Sequence, residues 1–152
     1  MIYSYRNDNL KIKEILGVTD VDKEIAELLK PVSLSYDKFN IWLNKVFNEV
    51  KNIDENISYR DIILNIQDKQ IIGAMILKKT VKENKLCTVF INDTHRGKGF
   101  GKLFFFIADE ILGGNIKLSV DINNLKFIYK LLVDFKYVKT GKINNELFFL
   151  KF

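Results

Sequence analysis

The sequence predicts one α/β domain over residues 1–152. Residues 86–91 have the composition of a β-strand and lead without a spacer into a glycine-rich loop, after which residues 100–112 repeat apolar side chains with the period of a helix. Strand and helix patterns also alternate along the rest of the chain, which is typical of α/β proteins. A chain of 152 residues is long enough to bury roughly two-thirds of its unfolded surface around one core.

Composition narrows the class of protein. Hydrophobic residues make up 47% and charged residues 28%, which indicates a globular chain, and no apolar run approaches the roughly 20 residues of a membrane span. The N-terminus lacks the charged-then-apolar order of a secretory signal. The single cysteine, Cys87, excludes an internal disulfide and, with only one histidine present, a zinc site built from Cys and His alone. We therefore expect a cytoplasmic protein without membrane contact and without a metal site.

The N-terminal half predicts a short strand over residues 1–5 and then mainly helices. The first helix ends at Gly17, and Thr19 with Asp22 forms the pattern of a capping box for a second helix, which Pro31 stops. Ser35 precedes a stronger helix whose apolar residues keep a period of 3.6 and form a core face: Phe39, Trp42, Leu43, Val46, Phe47 and Val50.

The middle and C-terminal parts predict most of the sheet. Residues 62–66 and 71–77 form two buried strands joined by a tight hairpin at residues 67–70. After the strand at 86–91 and the helix at 100–112 come a strand at 116–122, a helix capped by Asn123 or Asn124, and a hairpin of residues 137–140 and 146–152. Phe105 and Phe106 lie off the apolar face of the 100–112 helix. Either a second layer of the protein covers them, or they form a patch through which two chains dimerise. The protein is therefore expected to be a monomer or a homodimer.

The glycine loop has the chemistry of an anion site. Alternate glycines let the backbone turn tightly and bring its N–H groups close to a ligand, and the first turn of the following helix adds unpaired amides and a favourable dipole. The side chains of Arg96, Lys98 and Lys102 add positive charge to the loop. The loop is therefore predicted to hold a phosphate or pyrophosphate through the residues Arg96, Gly97, Lys98, Gly99, Phe100, Gly101 and Lys102.

Two common phosphate-binding motifs do not match this loop. A P-loop needs a Ser or Thr after Gly-Lys, but Leu103 follows Lys102 and has no hydroxyl for magnesium. A dinucleotide fingerprint needs a small residue where this sequence has Lys102 or Phe104. Asp121 lies at the separation of a ribose-binding acid, but too little chain follows it to complete a dinucleotide-binding sheet.

The motif that does match is Arg-x-x-Gly-x-Gly, formed by Arg96, Gly99 and Gly101. Here the sequence resembles the GNAT superfamily of acetyl-CoA-dependent N-acetyltransferases, over about residues 70–152. The resemblance implies an α/β GNAT fold with a mixed central sheet of about six or seven strands and helices on both faces. It also implies that the first two helices and the loop between them form one wall of the acceptor site, so that residues near Tyr36 and Trp42 would contact the substrate.

A second motif of that family has an Asn, a helix bearing a Tyr, and then Gly-Phe. Asn123, Tyr129 and Phe135 stand near those places. Asp134 replaces the glycine, and Tyr129 precedes Phe135 by six residues where five are common. A shift of one residue turns a helical side chain by about 100° about the helix axis, so Tyr129 is expected to point in a different direction from the tyrosine at the common spacing.

The activity that the resemblance implies is direct attack of a neutral amine on the thioester of acetyl-CoA. Coenzyme A would be held at its pyrophosphate by residues 96–102 and along its pantetheine arm by Val89, Phe90 and Ile91, with Asn123 completing the binding set. Backbone N–H groups of the same strand could polarise the thioester carbonyl.

The catalytic residues are less evident from the sequence. The strand before the loop contains no acid, so Asp121, at the end of the next strand, is the candidate base, with an ordinary capping or exposed acid as the alternative. Tyr129 is the candidate acid that protonates the leaving thiolate, with plain packing as the alternative. His95 and Cys87 are interpreted as structural residues.

Two classes of function stay open. The first is an N-acetyltransferase that acts on a small amine, a peptide amine or an aminoacyl-tRNA. The second is a non-catalytic GNAT-fold module that binds coenzyme A or a protein or RNA partner. The net charge of +5 would attract any polyanion, but the lysines lack the interleaved aromatic residues of a nucleic-acid platform. RNA is therefore expected only as tRNA that carries the acceptor.

Overall fold

A computed structural model describes residues 1–52 and 57–152. In these ranges the strands are β1 (Ile2–Ser4), β2 (Ile57–Gln67), β3 (Gln70–Thr80), β4 (Asn84–Ile91), β5 (Ile116–Asp121), β6 (Val138–Ile143) and β7 (Glu146–Lys151). The α-helices are α1 (Tyr5–Leu16), α2 (Val21–Leu28), α3 (Lys30–Ser35), α4 (Phe39–Lys51), α5 (Phe100–Leu112) and α6 (Leu125–Asp134). Short 3-10 turns cover Asp93–His95 and Ile122–Asn124. Of the helices described, none has the length and apolarity to cross a bilayer.

The strands form a seven-stranded sheet in the order β1-β2-β3-β4-β5-β7-β6. The β4–β5 pair is parallel and the other pairs are antiparallel, so the sheet is mixed. One apolar core lies between the sheet and α1, α2 and α4. A second core lies on the opposite face beneath α5 and α6. The predicted architecture, a mixed sheet with helices on both faces, is confirmed.

The hairpin between β2 and β3 also agrees with its prediction. Gln67 pairs with Gln70, and the two residues between them, Asp68 and Lys69, have φ angles of 49° and 62°. Left-handed conformations at both central positions match the right-handed twist of the flanking strands. The hairpin places two long buried strands inside the sheet, each with a neighbour on both sides and a core on both faces, which explains their almost continuous apolar sequence.

Two local predictions in the N-terminal half were wrong. The cap of α2 is Asp20, whose side chain accepts a hydrogen bond from the Lys23 N–H at 3.1 Å, so the capping box of Thr19 and Asp22 does not form. Pro31 does not stop α2, which ends at Leu28, and lies instead in the first turn of α3. A missing N–H costs nothing there, since the first amides of a helix have no intrahelical acceptor.

Phe105 and Phe106, the two phenylalanines of α5 that lie off its predicted apolar face, differ in their surroundings. Phe105 is buried against Phe135 and Tyr137, with ring centroids 5.5 and 5.8 Å away. Phe106 is 56% exposed. Of the two alternatives expected for this pair, the second layer is present over Phe105 alone, and a dimer patch at Phe106 stays a prediction.

The feature of the fold that matters most for the site is an opening between β4 and β5. These strands pair only at Asn84 with Ile116 and Lys85 with Lys117, and they diverge beyond that point. The Asn84 amide donates to the carbonyls of Leu112 and Gly114 at 3.0 and 2.6 Å, which ties the closed end of the opening to the end of α5.

The register between β3 and β4 also changes beside the opening. Ile76 pairs with Thr88 while Leu77 pairs with Leu86, so Cys87 is the extra residue of a β-bulge. Bulges bend a strand and leave a residue outside the ladder, and they are common next to active sites.

Candidate active site

The opening between β4 and β5 continues into a cavity with a volume of about 1050 Å³. Its lining includes Tyr36 and Trp42, from α4 and the loop before it, and Ile128 and Leu131 from α6. Because α4 and α6 cover opposite faces of the sheet, the cavity passes through the sheet between the two diverging strands.

The glycine loop lies at the wide end of this opening. Gly97 and Gly99 have φ angles of +76° and +88°, a region in which residues with a Cβ are strained. Gly99 is the N-cap of α5, and no side chain caps the helix. Within the described parts of the chain, none of the amides of residues 97–102 donates a hydrogen bond. Six successive free donors at a helix N-terminus form a site for an anion.

Gly101 has a different role in the same loop. A Cβ at this position would lie 3.1 Å from Leu131 Cδ1, which is closer than ordinary van der Waals contact. The glycine therefore lets α6 pack closely against the first turn of α5. This packing closes one side of the cavity.

Arg96 lies across the mouth of the opening. Its Nε donates to the Ile91 carbonyl at 2.9 Å, and its guanidinium carbon is 5.5 Å from the ring centre of Phe90 and 5.6 Å from that of Phe127. One nitrogen, Nη1, also lies 2.9 Å from Asp93 Oδ1. That pair is solvent-exposed and so contributes little free energy. The guanidinium charge is held beside the free amides of the loop.

The edge of β4 that faces the opening presents backbone donors. The Asn92 N–H donates to the Ile72 carbonyl at 2.9 Å, towards β3. Because N–H groups alternate in direction along a strand, those of Val89 and Ile91 point to the other side, towards the opening. The two residues predicted to pair with an extended ligand therefore have suitably oriented backbone groups.

The structure brings together most of the residues predicted for the cofactor. The cavity lining contains Val89, Phe90, Ile91, Arg96, Gly97, Gly99, Phe100, Gly101 and Lys102. Lys98 and Asn123 are exposed and are not part of this lining. Asn124, one residue further along, does line the cavity.

The two residues predicted to be catalytic are placed differently. Tyr129 is 58% exposed and lies outside the cavity lining, because the one-residue slip on α6 turns Ile128 inward instead. The Asp121 carboxylate accepts a hydrogen bond from the Asn123 N–H at 2.8 Å and so caps the 3-10 turn before α6. It is not part of the cavity lining either.

A tyrosine and a glutamate that were not predicted as catalytic do line the cavity. The Tyr36 hydroxyl accepts a hydrogen bond from the Asp121 N–H at 3.3 Å. Burial, followed by the negative charge of Glu146, raises the pKa of the Tyr36 phenol above its ordinary value of 10. Glu146 is the first residue of β7 and pairs with Asp121 on β5. The resemblance pointed to the neighbourhood of Tyr36, whereas no sequence signal pointed to Glu146.

Comparisons with known proteins agree with this geometry. The N-acetyltransferase PaiA of Thermoplasma acidophilum, solved in complex with coenzyme A, superposes with a TM-score of 0.63 at 14% identity, over 99% of this chain and 98% of that one. An aminoglycoside 6'-N-acetyltransferase complexed with coenzyme A gives 0.63 at 12% identity, over 99% and 96%. A GNAT-family acetyltransferase of Listeria monocytogenes gives 0.56 at 17% identity, over 99% and 93%.

Sequence comparisons add nothing to this result. No protein-family model matches the sequence, and no curated protein does. The likeness is one of structure, and it extends over almost the whole chain. The chain therefore has the fold of the GNAT acetyltransferases.

Proposed function

We propose that this protein is an acetyl-CoA-dependent N-acetyltransferase that transfers the acetyl group to a primary amine by direct attack. The observation that carries the proposal is the row of unpartnered amides at residues 97–102, placed at the wide end of the opening between β4 and β5. Two of the structural neighbours described above contain coenzyme A, which supports the same ligand here.

The residues around the opening fit coenzyme A. The amides of residues 97–102 would hold the pyrophosphate, with the positive charges of Arg96 and Lys102 beside them. The backbone of Val89 and Ile91 would pair with the pantetheine arm, and Ile128 and Leu131 of α6 provide an apolar wall. Bound acetyl-CoA would supply an activated acetyl thioester.

The free edge of β4 has a further role in this proposal. Its outward N–H groups are fixed donors in a site partly shielded from water. Such donors stabilise negative charge that develops on a carbonyl oxygen, and removing one in other enzymes costs roughly 3 kcal/mol of transition-state stabilisation. We assign this role to the backbone of Val89, next to the bulge at Cys87.

We assign the roles of general acid and general base to Tyr36 and Glu146, whose side chains line the cavity. The Tyr36 phenol is protonated at neutral pH, as an ordinary tyrosine is, and burial raises its pKa further, so it has a proton to donate to a leaving thiolate. The Glu146 carboxylate lines the same cavity and can accept a proton from an incoming ammonium group. We favour these residues over Tyr129 and Asp121, which lie outside the lining.

A non-catalytic module that binds coenzyme A is the second candidate. The observation in its favour is that the tyrosine at the family position, Tyr129, faces solvent. In this case coenzyme A would bind, but no amine would be acetylated.

Two measurements test the proposal. Calorimetry with coenzyme A tests the anion site, and thiol release from acetyl-CoA with a panel of small amines, peptides and aminoacyl-tRNA tests transfer. We expect binding, amine-dependent thiol release and an acetylated product by mass spectrometry. Binding without release from any amine would support the non-catalytic module instead, and failure to bind coenzyme A would contradict both candidates.

A further inference from the structure

Four basic side chains form one row across the sheet at the closed end of the opening. Arg60 on β2 pairs with Lys78 on β3, and Lys78 pairs with Lys85 on β4. Lys85 in turn pairs with Lys117 on β5. Paired residues on neighbouring strands project from the same face, which here is the face that α4 covers. Arg60, Lys78 and Lys85 line the cavity, whereas Lys117 does not.

Arg60 is the most unusual member of this row because its residue is only 1% exposed. Its guanidinium carbon lies 5.4 Å from the ring centre of Trp42, and its Nη1 donates over long distances, 3.4 Å to Cys87 Sγ and 3.5 Å to the Leu77 carbonyl. Its Nε has no hydrogen-bond partner among the residues described. The Glu49 carboxylate is 3.9 Å from Nε, and its Oε2 also lacks a hydrogen-bond partner there.

This arrangement leaves a buried cation incompletely satisfied. A guanidinium carries five N–H donors in a planar fork, and burying such a charge is costly unless those donors are paired. An oxyanion in the cavity would offer strong acceptors to the fork.

The two lysines beside Arg60 add charge of the same sign. Lys78 and Lys85 are half-buried, and neither forms an ion pair with an acid in the described ranges. Glu83, an acid that lines this end, lies 3.5 Å from Lys117 and is thereby partly neutralised. The other acids of the lining, Asp37 and Glu146, come from the loop before α4 and the start of β7. The closed end therefore has a net positive charge.

This positive end is separate from the glycine loop. From Lys85 to Ile91 the strand advances six residues, or about 20 Å at the usual rise. The cavity thus has a positive region at each end, and the loop accounts for only one of them. The cofactor's diphosphate belongs at the loop, so the closed end is left for the other substrate.

We propose that the acceptor is an amine that also carries an oxyanionic group, a carboxylate or a phosphate, and that Arg60, Lys78 and Lys85 bind this group. The inference rests on the proposed acetyl transfer and names the class of its acceptor. It also separates this protein from a polycationic acceptor such as an aminoglycoside, since several ammonium groups would be repelled by Lys78 and Lys85, which form no ion pair among the residues described.

A matched set of amines tests the proposal in the protein of residues 1–152. The set is γ-aminobutyrate, aminobutanol and putrescine, which present a carboxylate, a hydroxyl and an ammonium group on the same carbon chain. β-Alanine with propanolamine covers a shorter chain, and phosphoethanolamine with ethanolamine covers phosphate. The kcat/KM for thiol release is expected to be at least about tenfold higher for the anionic member of a pair, which corresponds to one good charge interaction. Putrescine is expected to be the poorest substrate.

Variants on the row then assign the preference to its residues. Lys78→Gln with Lys85→Gln should reduce the preference for the anionic amine to about twofold or less, and Lys78→Glu with Lys85→Glu should favour putrescine. These half-buried lysines are better targets than Arg60, whose replacement would disturb the core. Lys139→Gln with Lys142→Gln is the matched control, because it removes the same charge from two exposed lysines of β6 that lie outside the cavity lining. Coenzyme A affinity should stay the same in all three variants.

The outcomes distinguish the inference from the proposed function. Thiol release with equal or reversed preference between the paired amines would overturn the inference and leave acetyl transfer standing. A loss of preference in the Lys139→Gln with Lys142→Gln variant equal to that in the Lys78→Gln with Lys85→Gln variant would also overturn it, since the effect would then be one of overall charge. If none of the amines supported thiol release, that result would contradict the proposed function and, with it, the inference.

Discussion

The two ends of the cavity are positive for different reasons. At the glycine loop the donors are backbone amides of consecutive residues, 97–102, and their arrangement follows from the local turn and the start of α5. At the closed end the donors are side chains of Arg60, Lys78 and Lys85, which come together only through the pairing of three strands. A site made of backbone is fixed by the fold, whereas a site made of side chains can change without altering it. Under the proposed function, the first end would bind the cofactor and the second would select the acceptor.

The largest effect is expected from a change at the loop. Gly99→Asp should abolish binding of coenzyme A, a loss of at least about a hundredfold in affinity, or roughly 2.7 kcal/mol. It puts a side chain on a residue with φ of +88° and a carboxylate where the diphosphate should lie. Calorimetry measures the affinity, and circular dichroism checks the fold.

Gly141→Asp is the control for this experiment. Gly141 lies on β6, outside the cavity lining, and a Cβ there meets no atom within 4 Å. Its substitution should leave affinity for coenzyme A unchanged. Equal affinities for both variants and the wild type would show that the loop is not the anion site.

A smaller effect is expected from the two titratable groups that line the cavity near the carboxyl end of β5. Tyr36→Phe and Glu146→Gln should each lower kcat by about a hundredfold, the usual contribution of a positioned acid or base, with little change in coenzyme A affinity. Tyr129→Phe and Asp121→Asn are the matched controls and should stay near wild-type activity, because both residues lie outside the cavity lining. Steady-state rates of thiol release measure all four variants.

The pH dependence gives a second check on Tyr36. Its pKa is raised above 10, mainly by burial, so the protonated phenol is present throughout neutral and mildly alkaline pH. We expect no loss of rate between about pH 7 and 9 from this group, since it loses its proton only above its ordinary pKa of about 10. If Tyr129→Phe lost activity and Tyr36→Phe did not, the acid would be Tyr129 on α6 and not Tyr36.

The smallest effect is expected for a residue at neither end. The Tyr137 hydroxyl is buried and has no hydrogen-bond partner in the described part of the chain. Tyr137→Phe should therefore raise the free energy of unfolding by about 1 kcal/mol at neutral pH, because an unsatisfied buried polar group is removed. Coenzyme A affinity and acceptor preference should both stay unchanged.

The same residue makes stability depend on pH. Burial, followed by the charge of Asp109, raises the pKa of the Tyr137 phenol above 10 in the folded protein. The folded state then holds its proton more tightly than the unfolded state, so stability is fully present below about pH 10 and falls as the pH rises further. Denaturant unfolding between pH 8 and about 11 should show a shallower decline in Tyr137→Phe than in the wild type. An identical decline would show that Tyr137 is not a source of it.

The sequence was sufficient to predict the features that depend on neighbouring residues. The strand, glycine loop and helix at residues 86–112 and the hairpin at 67–70 were predicted because turn residues and apolar periods are local signals. The α2 cap was misassigned because Thr19, Asp20 and Asp22 are all acceptable caps, and only the direction of the entering chain selects Asp20.

The acceptor end of the site could not be predicted in the same way. Tyr36 meets Asp121 across 85 residues of chain, and Arg60, Lys78 and Lys85 align only because β2, β3 and β4 pair in one register. A shift of one residue in that register would turn each lysine to the other face. Composition shows that the chain has many lysines, but the pairing of strands decides which of them form a site.

The passage through the sheet has a kinetic consequence. The cavity is lined by α6 on one face of the sheet and by α4 on the other. Under the proposed function, coenzyme A would lie on the α6 side and the acceptor would approach from the α4 side. Both reactants can then be present together before any bond changes, and neither product has to wait for the other to leave. A gap between two diverging strands that is lined from both faces of the sheet thus favours a ternary complex of the protein with both reactants.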